Sequence, residues 1–488
     1  MSKDIRKTIG HTGIYTFGNI VRNMVSFIML PIYTRYLTPE DYGTLELLSM
    51  IIDFAGILVG LRIGEAIFRF YAQYDDPRDK KRVISTSMYL VGALNAVGVG
   101  FILLFSTPLS TLIFGSEAYV GYIVPFTFTL LFQAFNEIPL MYIRAQQRPW
   151  LFVMISILKL SLQLGLNIYF VVVRSMHVEG VIISALLSSG LMGLFLMIYT
   201  FKHVGFRFTK DISKKLISFS SPLMVASILS FYLTFGDRYF LRVFSSLAEV
   251  GIYSLGYKFG FLLLYFTWQP FANIWDVQKY DIFRKPDARL VYQRLFFLIS
   301  CVMIFFSLGV SVYIKDLLTI MSDPSFHRAY QIVPIILLAY LVQGWTSFCN
   351  LGILIKGKTL DITYATLFSV VVITIGYVAL IPLFGSHGAA WATLLGTSAR
   401  FVWVYVKANR YYDMGLRWSK VLYTLGLATC TFLISLYGPQ GVVPSITFHT
   451  VLFLICIGLF YVLPIIDVQD KQIIVQLLKN PKSLINTA

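Results

Sequence analysis

The chain has 488 residues, 57% of them hydrophobic and 13% charged, with a mean hydropathy of +0.73 and a formal net charge of +16. Soluble domains carry about 25% charged residues, so this composition excludes a soluble globular protein. In a chain this apolar the positive balance speaks of the membrane face its loops occupy rather than of nucleic acid.

Soluble-enzyme chemistry finds no foothold either. The four cysteines, Cys301, Cys349, Cys430 and Cys456, stand singly in apolar runs, which argues against a disulfide framework, a CxxC redox pair or a zinc site. The six histidines show no HExxH spacing, and neither a Walker loop nor GxGxxG after a strand is present. No cofactor and no metal are expected.

At the N-terminus Lys3, Arg6 and Lys7 precede an apolar run that continues through Arg22 to Pro31. It lacks a small-residue cleavage site and reads as a retained first helix. That helix ends in the polar elbow Arg35-Tyr36-Leu37-Thr38-Pro39-Glu40-Asp41-Tyr42-Gly43, where Thr-Pro followed by Gly is turn chemistry. Apolar stretches near the 20 residues of a membrane span then follow one another, at about 12–34, 44–70, 83–105, 119–142, 151–173, 179–201, 216–236, 250–272, 295–314, 330–354, 362–383, 388–408, 420–437 and 446–464. The expected fold is an all-α polytopic membrane protein of about fourteen transmembrane helices. An even count puts both termini on one side. Most Lys and Arg fall in the loops of that side, as in Arg78-Asp79-Lys80-Lys81-Arg82 and Lys202 to Lys215, which places both termini in the cytoplasm. Beyond the last span, residues 468–478 carry Ile473, Ile474, Leu477 and Leu478 with the spacing of an amphipathic surface helix.

The elbow has a second copy. Asp41 stands two residues before Gly43, and Glu249 two residues before Gly251; the glycines are 208 residues apart. Gly180, which opens the sixth span, and Gly388, which opens the twelfth, share that offset. The chain is therefore expected to hold two parallel six-helix repeats, residues 1–208 and 209–416, followed by two extra helices in 417–464 and a tail in 465–488. Parallel repeats are a transporter architecture with the substrate path between the halves.

Charges inside the spans are the candidate site. The cations are Arg22, Arg62, Lys159, Lys258 and Arg400, with Arg69 near a helix end where it can snorkel; the acids are Asp53, Glu65, Glu137 and Asp237. Each cation costs on the order of 2.5–3.5 kcal/mol at the bilayer centre, so each is expected to face water or a partner. Arg62 and Glu65, three residues apart, also fit a local ion pair. Asp53 and Arg62 lie on opposite helix faces unless the helix bends, and the Gly56, Gly60, Gly64 series allows either close packing or a bend. A cationic lumen selects an anionic substrate such as a phosphate.

The stretch Leu30 to Gly43 closely resembles the opening signature of the polysaccharide-biosynthesis membrane proteins, the Wzx-type oligosaccharide flippases of the multidrug, oligosaccharidyl-lipid and polysaccharide exporter superfamily. Gly236-Asp237-Arg238-Tyr239 with Glu249-Val250-Gly251-Ile252-Tyr253 is similar to the same family's elbow between the seventh and eighth helices, and Arg144-Ala145-Gln146-Gln147-Arg148 to its loop between the fourth and fifth. The resemblance implies a fold like that of multidrug exporters and lipid II flippases. It implies translocation of an undecaprenyl-diphosphate-linked oligosaccharide to the outer leaflet of the bacterial inner membrane, for O-antigen, capsule or exopolysaccharide. It also implies that Arg22, Arg62 and Lys258, on helices one, two and eight, bind the diphosphate, with Lys159 and Arg400 as further candidates. Lys258 departs from the arginine pattern of the related lipid II flippases. Asp53, Glu65, Glu137 and Asp237 are candidates for ion coupling or gating, with a proton or sodium gradient as the energy source. Membrane lipids, a polymerase and assembly proteins are the expected partners, and nucleic acid is not one. A cation or drug antiporter of the same superfamily would line its cavity with acids, whereas here cations outnumber them. A polymerase or ligase would need a sizeable outward loop, which is lacking.

Overall fold

The computed structural model describes residues 27–60 and 62–463. Arg22, most of the first span and the expected amphipathic tail helix lie outside the described residues. Every expected span from the second to the last meets a described helix, and the described residues contain no strand. Eleven of these helical segments are long and apolar enough to cross a membrane. The helices are α1 (Leu30–Tyr36), α2 (Pro39–Gly60), α3 (Ile63–Gln73), α4 (Pro77–Leu104), α5 (Ser106–Phe114), α6 (Val120–Ala145), α7 (Pro149–Asn167), α8 (His177–Val204), α9 (Lys210–Phe244), α10 (Leu247–Leu263), α11 (Gln269–Phe283), α12 (Ala288–Met321), α13 (Val333–Cys349), α14 (Leu351–Ile355), α15 (Leu360–Tyr411), α16 (Trp418–Ser435) and α17 (Val442–Val462).

Three differences from the apolar spans have local causes. The second span is not one helix: Arg62 takes a left-handed backbone (φ 56°, ψ 28°) between α2 and α3, a conformation that costs a non-glycine residue about 1–3 kcal/mol. The eleventh and twelfth spans form the single 52-residue α15, whose kink is at Gly385 (φ 54°, ψ −129°), a conformation glycine adopts without a Cβ clash. Between the third and fourth spans the chain forms α5, which the hydropathy pattern did not single out; it is stopped by Gly115 with φ 70°.

The molecule divides into two compact units, residues 1–254 with 377–389, and residues 255–376 with 390–488. In the first unit the core packs Ile67, Val83, Met88, Ala134, Ile138 and Leu216 from four helices, all nearly inaccessible. In the second, Trp275 stacks on Phe348 at 4.3 Å, and the Trp345 indole N–H donates to Ser300 Oγ at 2.9 Å. There, α17 is also tied to α12 through polar groups. His449 Nδ1 lies 3.0 Å from Asp316 Oδ2, and Ser445 Oγ donates to the same oxygen at 3.0 Å, all three residues being buried. His449→Leu should lower the thermal unfolding midpoint and the cost should approach about 1–3 kcal/mol, because the Asp316 carboxylate stays buried with one partner fewer. An unchanged midpoint in the purified protein would contradict this.

The repeated elbows are built alike. At the start of α2, Thr38 Oγ1 accepts from the Asp41 N–H and Asp41 Oδ2 from the Thr38 N–H, both at 3.1 Å, which is a reciprocal capping box with Pro at the first helical position. At the start of α10, Ser246 Oγ accepts from the Glu249 N–H at 3.2 Å. Thr38 and Ser246, like Asp41 and Glu249, are 208 residues apart. The two helix starts also touch. A Cβ on Gly43 would lie 2.0 Å from the Leu247 carbonyl oxygen, and one on Gly251 would lie 2.0 Å from the Pro39 carbonyl oxygen. Pro39 and Leu247 again differ by 208, so the contact is reciprocal, as a two-fold relation between the elbows demands. Gly180 and Gly388 share a role as well, each lying against backbone shortly upstream in the chain, at Phe170 and Leu380.

Candidate functional site

Helix periodicity builds a polar cavity inside the first unit. Ser49, Ile52 and Asp53 of α2 are three and four residues apart, hence on one face. So are Phe126, Thr129, Gln133 and the Asn136–Glu137 pair of α6. With Lys159 of α7 and Ser189 of α8 they line an open cavity of about 310 Å³. Gly56 lets α2 come this close, since a Cβ there would sit 2.8 Å from Gln133 Oε1; a Cβ on Gly64 would meet the Met141 side chain. The glycine series thus serves close packing at Gly56 and Gly64, while the bend falls at Arg62.

Within the cavity Gln133 Nε2 donates to Glu137 Oε1 at 3.3 Å. Asn136 Nδ2 donates to the carbonyl oxygens of Phe132 (2.9 Å) and Ser189 (3.0 Å). The oxygen ends of both amides, Gln133 Oε1 and Asn136 Oδ1, are buried without a hydrogen-bond partner. An unsatisfied buried acceptor costs about 1–3 kcal/mol, so it marks a place for a donor.

Three of the candidates from sequence, Asp53, Glu137 and Lys159, are therefore brought to one cavity. Arg62 and Glu65 form the local ion pair, each side chain about half exposed. Arg69 lies over the Phe219 ring, 4.6 Å from its centroid. Asp237 is wholly buried: Tyr253 OH donates to its Oδ2 at 2.7 Å, and Arg238 Nη1 to its Oδ1 at 2.6 Å. Arg238 also donates to the Thr234 carbonyl oxygen at 2.7 Å. Lys258 and Arg400 belong to the second unit, both half-buried; the Arg400 Nε has no hydrogen-bond partner among the described residues. Charge-based reading passed over the uncharged residues Gln133, Asn136, Ser49 and Ser189. The signal for the first two was present, because a glutamine, an asparagine and a glutamate fall at 133, 136 and 137, on one helical face of an apolar span.

The all-helical fold is shared with known proteins. The lipid II flippase MurJ in an inward closed conformation superposes with a TM-score of 0.75 at 11% identity, over 92% of this chain and 98% of that one. An inward-facing multidrug resistance MATE transporter of the MOP superfamily gives 0.62 at 15% identity, over 81% and 98%. The Vibrio cholerae MATE transporter VcmN gives 0.54 at 16%, over 84% and 98%. No curated protein matches by sequence. The family model described as polysaccharide biosynthesis protein matches residues 10–270. The chain belongs to that polysaccharide biosynthesis protein family.

Proposed function

We propose that the protein is a flippase that carries an undecaprenyl-diphosphate-linked oligosaccharide from the cytoplasmic to the outer leaflet of a bacterial inner membrane, with both termini in the cytoplasm. The observation that carries the reading is the conjunction of a polysaccharide biosynthesis family match with a fold shared with a lipid II flippase. Polysaccharide assembly needs its lipid-linked units moved across a membrane, and lipid II is itself a lipid-linked sugar.

The diphosphate is assigned to the intramembrane cations Arg22, Arg62 and Lys258, with Arg400 as a further candidate. Arg62 is set up for exchange. Its ion pair with Glu65 leaves each side chain about half exposed, and a guanidinium on phosphate makes bidentate charge-assisted bonds. The substrate can therefore compete with Glu65 for the guanidinium. Glu65→Gln should tighten binding of undecaprenyl diphosphate to the purified protein, and Arg62→Ala should weaken it by about one to two decades, the value of one charge-assisted bond. Equal binding in both variants would remove Arg62 from the site. Ion coupling through Asp53, Glu65, Glu137 or Asp237 belongs to the same reading.

Loss of the protein should leave radiolabelled lipid-linked oligosaccharide on the cytoplasmic leaflet while the sugar-assembling enzymes stay active. Normal incorporation of label into surface polymer in its absence would refute the function.

A further inference from the structure

The cavity of the first unit has the chemistry of a carbohydrate site. We propose that it binds the glycan portion of the substrate, holding one or two sugar residues, an assignment that rests on the flippase reading above. Three observations carry it.

The first is the unpartnered acceptor. Asn136 is 3% exposed and lines the cavity, with its Nδ2 bonded to protein carbonyls and its Oδ1 bonded to nothing. Gln133 Oε1 repeats the pattern. Two amide oxygens whose own N–H groups are already bonded elsewhere are suited to receive hydroxyl donors.

The second is the mixture of groups. Asp53 and Glu137 accept, Lys159 donates, and Ser49 and Ser189 can do either. A sugar hydroxyl both donates and accepts, so it can use all of them. A diphosphate would meet two carboxylates, and a lone cation would be set beside the Lys159 ammonium. Phe126 adds an apolar face for the C–H side of a pyranose ring.

The third is size. A water's share of liquid volume is about 30 Å³, so the 310 Å³ cavity has room for a monosaccharide or disaccharide and far exceeds what a dehydrated ion fills. Binding of a ligand this small and polar should be weak, which suits a carrier that must release its cargo.

The test uses the full-length protein in nanodiscs and saturation-transfer NMR with free glucose, galactose, mannose, rhamnose and N-acetylglucosamine. Transfer to at least one of these sugars is expected. It should weaken about tenfold when a hydrogen-bonding partner is lost in Asn136→Leu or Gln133→Leu, in variants that still unfold cooperatively. Where either variant fails to fold, Ser49→Val and Ser189→Val serve in its place. Absence of transfer to every sugar, or transfer undiminished in folded cavity variants, overturns the proposal. Undecaprenyl diphosphate without sugar separates the two readings: if it stabilises the protein against heat while no sugar binds, the flippase stands and the sugar site falls. If sodium chloride in place of choline chloride raises the midpoint of the native protein but not of Asp53→Asn, and no sugar binds, the cavity is a cation site and the proposal is likewise overturned.

Discussion

Arg238→Met is expected to destabilise the protein by about 3–5 kcal/mol, the usual cost of stranding one member of a buried ion pair. Asp237 is 0% exposed and Arg238 2%, so neither can turn to water once its partner is gone. The Tyr253 hydroxyl would remain on Asp237, but one neutral donor does not replace a guanidinium at 2.6 Å. The pair itself adds little net stability, because desolvating two charges roughly offsets their attraction. Asp237→Leu combined with Arg238→Met should therefore recover most of the loss. The readout is the unfolding midpoint of the purified protein for both single variants and the double. If Arg238→Met matched the native protein, Asp237 would not depend on the guanidinium for its partner as described.

Gly43→Val and Gly251→Val should have comparably large effects, because the obstacle is backbone. A Cβ at either position would stand 2.0 Å from a carbonyl oxygen of the facing helix start, far inside contact distance, and no rotamer change moves a carbonyl. The starts of α2 and α10 must separate, and overpacking of this kind costs about 1–3 kcal/mol or more. Even Gly43→Ala should destabilise, although alanine is favoured over glycine inside a helix by about 1 kcal/mol. Gly100→Ala, at a glycine with nothing within 4 Å, keeps that propensity gain without the clash and should be neutral or mildly stabilising. Because one separation admits both side chains, Gly43→Ala with Gly251→Ala should cost less than the sum of the single changes. Thermal unfolding of the purified variants gives these differences, and strict additivity would mean the two glycines do not share a contact.

The sequence by itself determined the all-helical membrane architecture, because backbone groups in hydrocarbon must be satisfied within the segment and long apolar runs leave the chain no alternative. It also carried the repeat. The 208-residue offset seen in Gly43 and Gly251 reappears in the capping residues Thr38 and Ser246, since a helix start at a close backbone crossing needs the same cap and the same missing side chain each time. Charges inside spans named Asp53, Glu137 and Lys159 as residues with a reason to face something polar.

Only the tertiary structure decided what they face. Adjacent residues on a helix point apart, so Asp237 and Arg238 do not read as a pair. Burial removes water, Tyr253 closes over the carboxylate, and the long arginine side chain folds back onto Asp237 and the Thr234 carbonyl. The spacing of Arg62 and Glu65 left a local pair and a lumen role equally open, and the left-handed turn at Arg62 brought the two together. The polar cavity was hidden for a related reason. Its most informative residues, Gln133 and Asn136, are neutral, and their significance is an oxygen left without a donor. Whether a buried amide is satisfied depends on which helix lies opposite, and that is settled by packing rather than by spacing along the chain.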